Sequence, residues 1–193
     1  TVKWPTYCLL GGMLLMLMFS CHSSLDKESL LAYLKKEENG LLQKKSIKGI
    51  DFTVMYQPSQ LMAYRESSTV VDLNKYDEYL YFILSLSANG EEILNQMGNH
   101  ARFSEMVSQL SFGMGEKIRL VTSTGNEIPL LDVHHAQTYG MAGANQLMLI
   151  FKRDETGGAE WIKLQLQDFG LNTGDVSFKF NINDLKKIPE LNT

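Results

Sequence analysis

The sequence predicts an α+β fold, mainly antiparallel β and sandwich-like, with an N-terminal helix and a few short helices at the edges. Three observations carry that expectation. Several short segments alternate apolar and polar residues with period two, separated by Gly- and Asn-containing turns. One early segment has helical periodicity instead. The composition, 44% apolar and 21% charged over 193 residues, is that of a globular chain with the mass to bury a core in one domain.

The helix is read over residues 25–38, "LDKESLLAYLKKEE". Ser24 is the expected cap, Asp26 and Glu28 favour the first turn, and Lys35 and Lys36 the last. Asn39-Gly40 offers a left-handed stop, with Leu41 folding back as its apolar contact. Leu30, Leu31 and Leu34 form one stripe, which fits docking on a core better than lying on a membrane. A basic linker, "QKKSIKG", is expected next.

The period then changes. "IDFTVMY" puts Ile50, Phe52, Val54 and Tyr56 on one side of a strand, and Pro58 introduces a short helix, "PSQLMAYRE". "EYLYFILSLSA" is apolar on both faces and reads as a central strand. A helical turn at "EEILNQM" and a helix at "HARFSEMVSQL" follow, the latter with Phe103, Met106, Val107 and Leu110 on one side. "KIRLVTSTGNEIPLLDV" reads as a hairpin turning at Gly125-Asn126. "NQLMLIFKR" suits a buried strand. "AEWIKLQLQD" buries Ile162, Leu164 and Leu166, and "DVSFKFNI" buries Val176, Phe178, Phe180 and Ile182. Half-buried strands in this number suggest two packed sheets with helices at their edges.

The opening segment is different in kind. Cys8 to Ser20 is a run of 13 residues without a charge, preceded by "TVKWP" with its single Lys3. As a helix it spans about 20 Å at ~1.5 Å per residue, short of the ~30 Å hydrocarbon layer. "LLMLM" is apolar on every side, which does not suit a half-buried helix. A secretory signal peptide over residues 1–20 fits these facts. The chain opens on Thr1 rather than Met, so a residue or two is expected to precede it.

At the foot of the run stand Met18, Phe19, Ser20 and Cys21. This junction resembles the lipobox of bacterial membrane lipoproteins, the substrates of signal peptidase II. Met18 takes the apolar place, where Leu or Val is more usual. Phe19 occupies a position usually held by a smaller residue, Ser20 the small place before the cut, and Cys21 the acylated cysteine. The resemblance covers about 20 residues and implies a diacylglycerol on the Cys21 sulfur and a further chain, such as palmitate, on its amine. One acyl chain holds a protein only reversibly and two or more anchor it. Residues 21–24 then form a lipid-anchored polar tether and residues 25–193 a single β-rich domain. His22, rather than Asp, follows the cysteine, and within the family this favours the outer over the inner membrane.

Charge and cysteine usage narrow the function. Residues 21–193 carry 17 basic and 22 acidic side chains, a balance of −5. No run of Lys or Arg is long enough to track a phosphate backbone, so nucleic acid is not an expected partner. The two cysteines, Cys8 and Cys21, both lie in the opening segment. Disulfides therefore cannot cross-link the domain, and thiol catalysis and cysteine-based zinc sites have no residues to use.

No catalytic residues are assigned. His134-His135 are neighbours whose side chains leave a strand on opposite faces. Asp132, two residues away, shares the face of His134, and these two are the speculative ligand or metal residues. No cofactor is expected, with calcium or zinc as the minor alternative: Asp168, Asn172 and Asp175 lie close in sequence but lack EF-hand spacing. "DFG" at Asp168 stands without any other kinase motif. "FGMGEK" places its glycines before a strand, the wrong order for a phosphate loop. Glu91-Glu92 and Asp77-Glu78 read as solvated neighbours. Tyr79, Tyr81, Tyr139 and Met141, the last two in the glycine-rich "TYGMAGAN", are the speculative partner surface.

The expected function is a lipid-anchored cell-envelope lipoprotein, a non-catalytic binding or structural module. It attaches to the membrane through lipid on Cys21 and takes another envelope protein or a cell-surface component as partner. The alternatives are a periplasmic or surface hydrolase using Asp, Glu and His, and a small-ligand carrier. Cys21→Ser is expected to abolish incorporation of radiolabelled palmitate and to release the chain from the membrane fraction; unchanged labelling overturns the lipobox reading.

Overall fold

The computed structural model describes residues 24–66, 73–138 and 140–192. The expected signal peptide, with Met18, Phe19, Ser20 and Cys21, lies outside the described residues, as does Tyr139. Of the expected tether only Ser24 is described. Together with Leu25 it forms β1 (Ser24–Leu25).

Helix α1 (Lys27–Lys35) is capped by Asp26 rather than Ser24. The Asp26 carboxylate accepts from the Ser29 amide at 2.7 Å, satisfying one of the helix's free N–H groups. That backbone hydrogen bond holds the Asp26 carboxyl below its ordinary range. Leu30 and Leu34 are fully buried and Leu31 packs beside them. After a 3₁₀ turn over Glu37–Asn39, Gly40 adopts φ 71°, the expected left-handed stop, and Leu41 is buried behind it.

The expected basic linker is a strand instead. Segment β2 (Leu42–Ile47) pairs antiparallel with β3 (Ile50–Gln57) across a Lys48-Gly49 turn. It is an edge strand, where lysines deter pairing with other chains; Lys44 and Lys45 are exposed. Beyond β3 lie α2 (Ser59–Glu66) and α3 (Leu73–Asp77). Next comes β4 (Tyr79–Ala88), which pairs with β3 on one side and is central as expected. The short β5 (Glu91–Glu92) folds back onto its end.

A 3₁₀ turn over Ile93–Gln96 leads to α4 (His100–Ser108), which buries Met106 and continues as a π turn over Gln109–Gly113. Phe103, expected on the buried side of this helix, is 39% exposed. The chain then forms β6 (Ile118–Thr122), β7 (Glu127–Pro129) and β8 (Asp132–Ala136). Between β7 and β8 it changes sheets. The later strands are β9 (Asn145–Lys152), β10 (Trp161–Leu166) and β11 (Val176–Asn181), followed by α5 (Ile182–Lys186) and β12 (Glu190–Leu191). Ile182, expected on the last buried strand, instead opens α5.

Two antiparallel sheets result, as the α+β, sandwich-like expectation has it. One runs β2-β3-β4-β9-β8 with β5 beside β4; the other runs β11-β10-β6-β7. A third, two-stranded parallel pair joins β1 to β12, with Ser24 opposite Glu190. The inward faces meet in one apolar seam. Phe82 on β4 lies 5.2 Å from Phe180 on β11, centroid to centroid, and 6.1 Å from Phe151 on β9. Phe52, Phe82, Phe151, Phe178 and Phe180 are buried almost completely.

Phe82→Ala is expected to remove about 3–5 kcal/mol of unfolding free energy, because it takes one ring from a seam two sheets share. Urea unfolding followed by circular dichroism checks it, with the midpoint falling and the slope unchanged.

Candidate functional site

Strand register decides which of the two histidines faces inward. His135 lies opposite Leu147, whose neighbours Leu149 and Phe151 point into the seam; His134 lies opposite Met148 on the outer face. His135 is therefore 9% exposed, while His134 and Asp132 share the exposed outer face. The Asp132 carboxylate accepts from the amide of its own neighbour, Val133, at 2.8 Å. The pair His134–Asp132 sits on open strand surface. Among the described residues no three His, Cys, Asp or Glu side chains converge on a point where a metal could sit.

The residues around Asp168 are organised by hydrogen bonds from the chain itself. Its Oδ1 accepts from the amides of Gly170, Leu171 and Asn172, and its Oδ2 from Gly174. Burial raises its pKa, yet these amides together outweigh that and hold the carboxyl below its ordinary range. Asp175 accepts from the Asp168 amide at 3.1 Å. This is a turn built on one carboxylate, with its oxygens already engaged.

A second buried carboxylate is more informative. Glu92 is 0% exposed, although its neighbour Glu91 is on the surface. The two alternate because β5 is a strand, so the pair expected as solvated acids is split between inside and outside. Glu92 Oε1 accepts from Thr138 Oγ1 at 2.5 Å and from the Ala142 amide at 2.9 Å; Oε2 accepts from Asn145 Nδ2 at 2.8 Å. The Gly140 amide also donates to it. Asn145 in turn accepts from the Leu94 amide at 3.2 Å.

Burial raises the Glu92 pKa, and the four donors overcome this and bring it below the ordinary value of 4.5. The carboxylate thus clamps the loop between β8 and β9. Gly140, at φ 79°, lies so close to Asn95 that a Cβ there would meet its Oδ1 at 2.7 Å. At the loop's tip Met141 is 85% exposed.

Beside the clamp, Ser111 Oγ and His135 Nδ1 share a hydrogen bond of 3.2 Å, its direction set by the tautomer. Ser111 lies in the π turn, a geometry common at functional positions. His135 Nε2 is buried without a hydrogen-bond partner. Burial lowers the His135 pKa, the Glu92 charge raises it, and His134 lowers it; the balance keeps the ring neutral below its ordinary 6.5. A serine nucleophile needs a histidine oriented by an acid. Here the Glu92 oxygens are committed to loop donors, and nothing orients Nε2. Phe112, next to Ser111, is 85% exposed. Two bare apolar side chains thus stand out, Met141 on the loop after β8 and Phe112 one residue from the Ser111–His135 contact.

The tyrosines of β4 are less available than Met141. Tyr79 is half-buried and Tyr81 is 5% exposed, their rings 6.3 Å apart. Arg153 crosses this end of the strand, donating to the Asp77 and Tyr79 carbonyls and to the Tyr56 hydroxyl. Sequence reasoning missed Glu92, His135, Ser111 and Phe112. The signal for Glu92 was its place between an Asn-Gly turn and the apolar Ile93-Leu94.

Glu92 contributes stability above pH 4.5, and that contribution disappears as pH falls through its lower folded value. Glu92→Gln is expected to cost about 1–3 kcal/mol at pH 7, since one amide NH₂ then faces donors. It is also expected to flatten the acid-side loss of stability. Urea unfolding at pH 7 and at successively lower pH checks both.

No family model matches the chain, and no curated protein matches it. Solved structures that resemble it include a DUF4426 family protein from Pseudomonas aeruginosa, 11% identical with a TM-score of 0.40, covering 73% of this chain and 92% of that one. Another is a novel protein of unknown function from Burkholderia pseudomallei, 12% identical with a TM-score of 0.38, covering 88% of this chain and 100% of that one.

Proposed function

We propose that this chain is a lipid-anchored cell-envelope lipoprotein, held by acylated Cys21 and favouring the outer membrane, whose domain is a non-catalytic binding module for another envelope protein. The observation that carries the binding role is Met141, bare at the tip of a loop that a buried carboxylate holds in place. Loops fixed on a rigid scaffold are where proteins place contact residues. Methionine and aromatic side chains adapt to partner surfaces and exclude water there. Phe112 supplies the second anchor.

The hydrolase alternative draws on the Ser111–His135 contact, and it asks for an acid on Nε2 that this arrangement does not provide. A ligand carrier asks for an apolar cavity where the five phenylalanine rings stand.

The test is purification of the lipidated protein from its native envelope, with identification of what accompanies it. A partner enriched by the native chain is expected to be lost more than about tenfold from Met141→Asp and Phe112→Asp variants with unchanged urea midpoints, as truncation of interface anchors does. Enrichment of nothing, together with turnover of an ester or glycoside substrate by the purified domain, overturns the binding role.

A further inference from the structure

The outer face of the four-stranded sheet carries an arrangement that the loop does not explain. Lys163 on β10 and Lys179 on β11 are direct cross-strand partners. Like charges placed opposite one another destabilise a sheet unless something offsets them. Here both ammonium groups lie over one indole: Lys163 Nζ is 5.4 Å and Lys179 Nζ 4.7 Å from the Trp161 ring centroid. A ring face attracts cations without neutralising them, so it gathers positive charge and leaves it available.

Trp161 and Lys179 form one wall of an open groove of about 640 Å³, and Lys186 and Lys187, from the end of α5, line it with them. The groove also holds two acids. Asp184 is engaged with Lys187 at 3.6 Å and accepts from Asn181 Nδ2 at 3.0 Å; Glu160 is the other. Three lysines line the groove against two carboxylates, and Lys163 adds a fourth ammonium over the Trp161 ring, a local excess of positive charge on a chain whose formal charge is −4.

We infer that this groove binds a phosphate group, and that the phosphate is the headgroup of an anionic membrane lipid. Lysine ammonium groups suit phosphate as point charges without a fixed bidentate geometry. The lipid source rests on the anchored reading above and on the path of the chain. Three peptide bonds link Cys21 to Ser24, a reach of at most ~11 Å. Ser24 pairs with Glu190, and Glu190 follows Lys187 by three residues. An acylated Cys21 therefore holds the lysine-bearing end of α5 next to the bilayer, where basic side chains meet anionic headgroups.

The chain has two tryptophans, Trp4 and Trp161, and Trp4 lies in the expected signal peptide, so chain beginning at residue 21 reports the groove through a single indole. Adding Cys21→Ser removes acylation, so the groove is tested apart from the anchor, which palmitate labelling tests independently. Vesicles containing phosphatidylglycerol are expected to shift Trp161 emission saturably and to carry the chain down on sedimentation, whereas phosphatidylcholine vesicles do neither. Lys163→Gln with Lys179→Gln is expected to weaken the response about tenfold, as is 0.5 M salt. A saturable response to glycerol phosphate without one to vesicles keeps the phosphate site and overturns the lipid as its source. No saturable response to either, or one unchanged in the double variant, overturns the proposal.

Discussion

Phe82 against Phe180 is the contact on which the domain depends. With no cysteine after Cys21, no covalent cross-link limits the unfolded chain, and the two sheets must be held by the apolar area they share. The Phe82 ring touches three others, on β3, β9 and β11, in edge-on or tilted contacts. It does so because β4 is the longest strand and lies in the middle of the larger sheet. From that strand the register passes to β9 and then to β8, so each inward residue there is fixed by pairing rather than by its own chemistry. His135 is inside because Leu147 is.

At the end of the sheet where β5, β8 and β9 meet, the filling changes from apolar to polar. Burying a carboxylate costs far more than burying a ring unless its oxygens are matched. Glu92 is matched, by a hydroxyl, two amides and a carboxamide. The clamp converts that cost into a loop of defined shape, and a loop that is already ordered loses less freedom when it meets a partner. Two buried side-chain atoms among the described residues are left without a hydrogen-bond partner, Gln57 Oε1 and, beside the clamp, His135 Nε2. Its neutrality is what makes that tolerable, since an unpaired imidazolium there would be far more expensive.

Much of the fold was legible because half-buried strands write themselves as alternation. Ile162, Leu164 and Leu166, or Val176, Phe178 and Phe180, can be read as one face before any coordinates exist. The edge strand β2 was not, because an edge is protected by lysines, and lysines in a row look like a linker. Asp26 displaced Ser24 as the helix cap by two residues, a distance set by where β1 must pair with β12. The candidate site was legible only in part. "YGMAGAN" announced a glycine-rich loop and Met141 within it. Glu92 was hidden, since adjacent acids look alike until a two-residue strand sends them to opposite sides. Lys163, Lys179, Lys186 and Lys187 are scattered in sequence, and only cross-strand register and the turn into α5 bring them together.

That convergence bears on a difficulty in the anchored reading. The chain after the expected cleavage carries a balance of −5, and an anionic bilayer should repel it. Net charge, however, is felt only at a distance. At physiological salt the screening length is about 8 Å, so a surface held against the headgroups responds to the charges nearest to it. On the proposed anchoring, Cys21 lies close in sequence to β1, and β1–β12 pairing sets which side of the domain stands nearest the bilayer. On that side lies the groove in which Lys179, Lys186 and Lys187 stand against Glu160 and Asp184. On the proposed anchoring, attraction at the groove and repulsion elsewhere would act in the same sense and turn the rest of the acidic domain outward. The clamped loop, carried on the other sheet, would then be left open to the proposed protein partner.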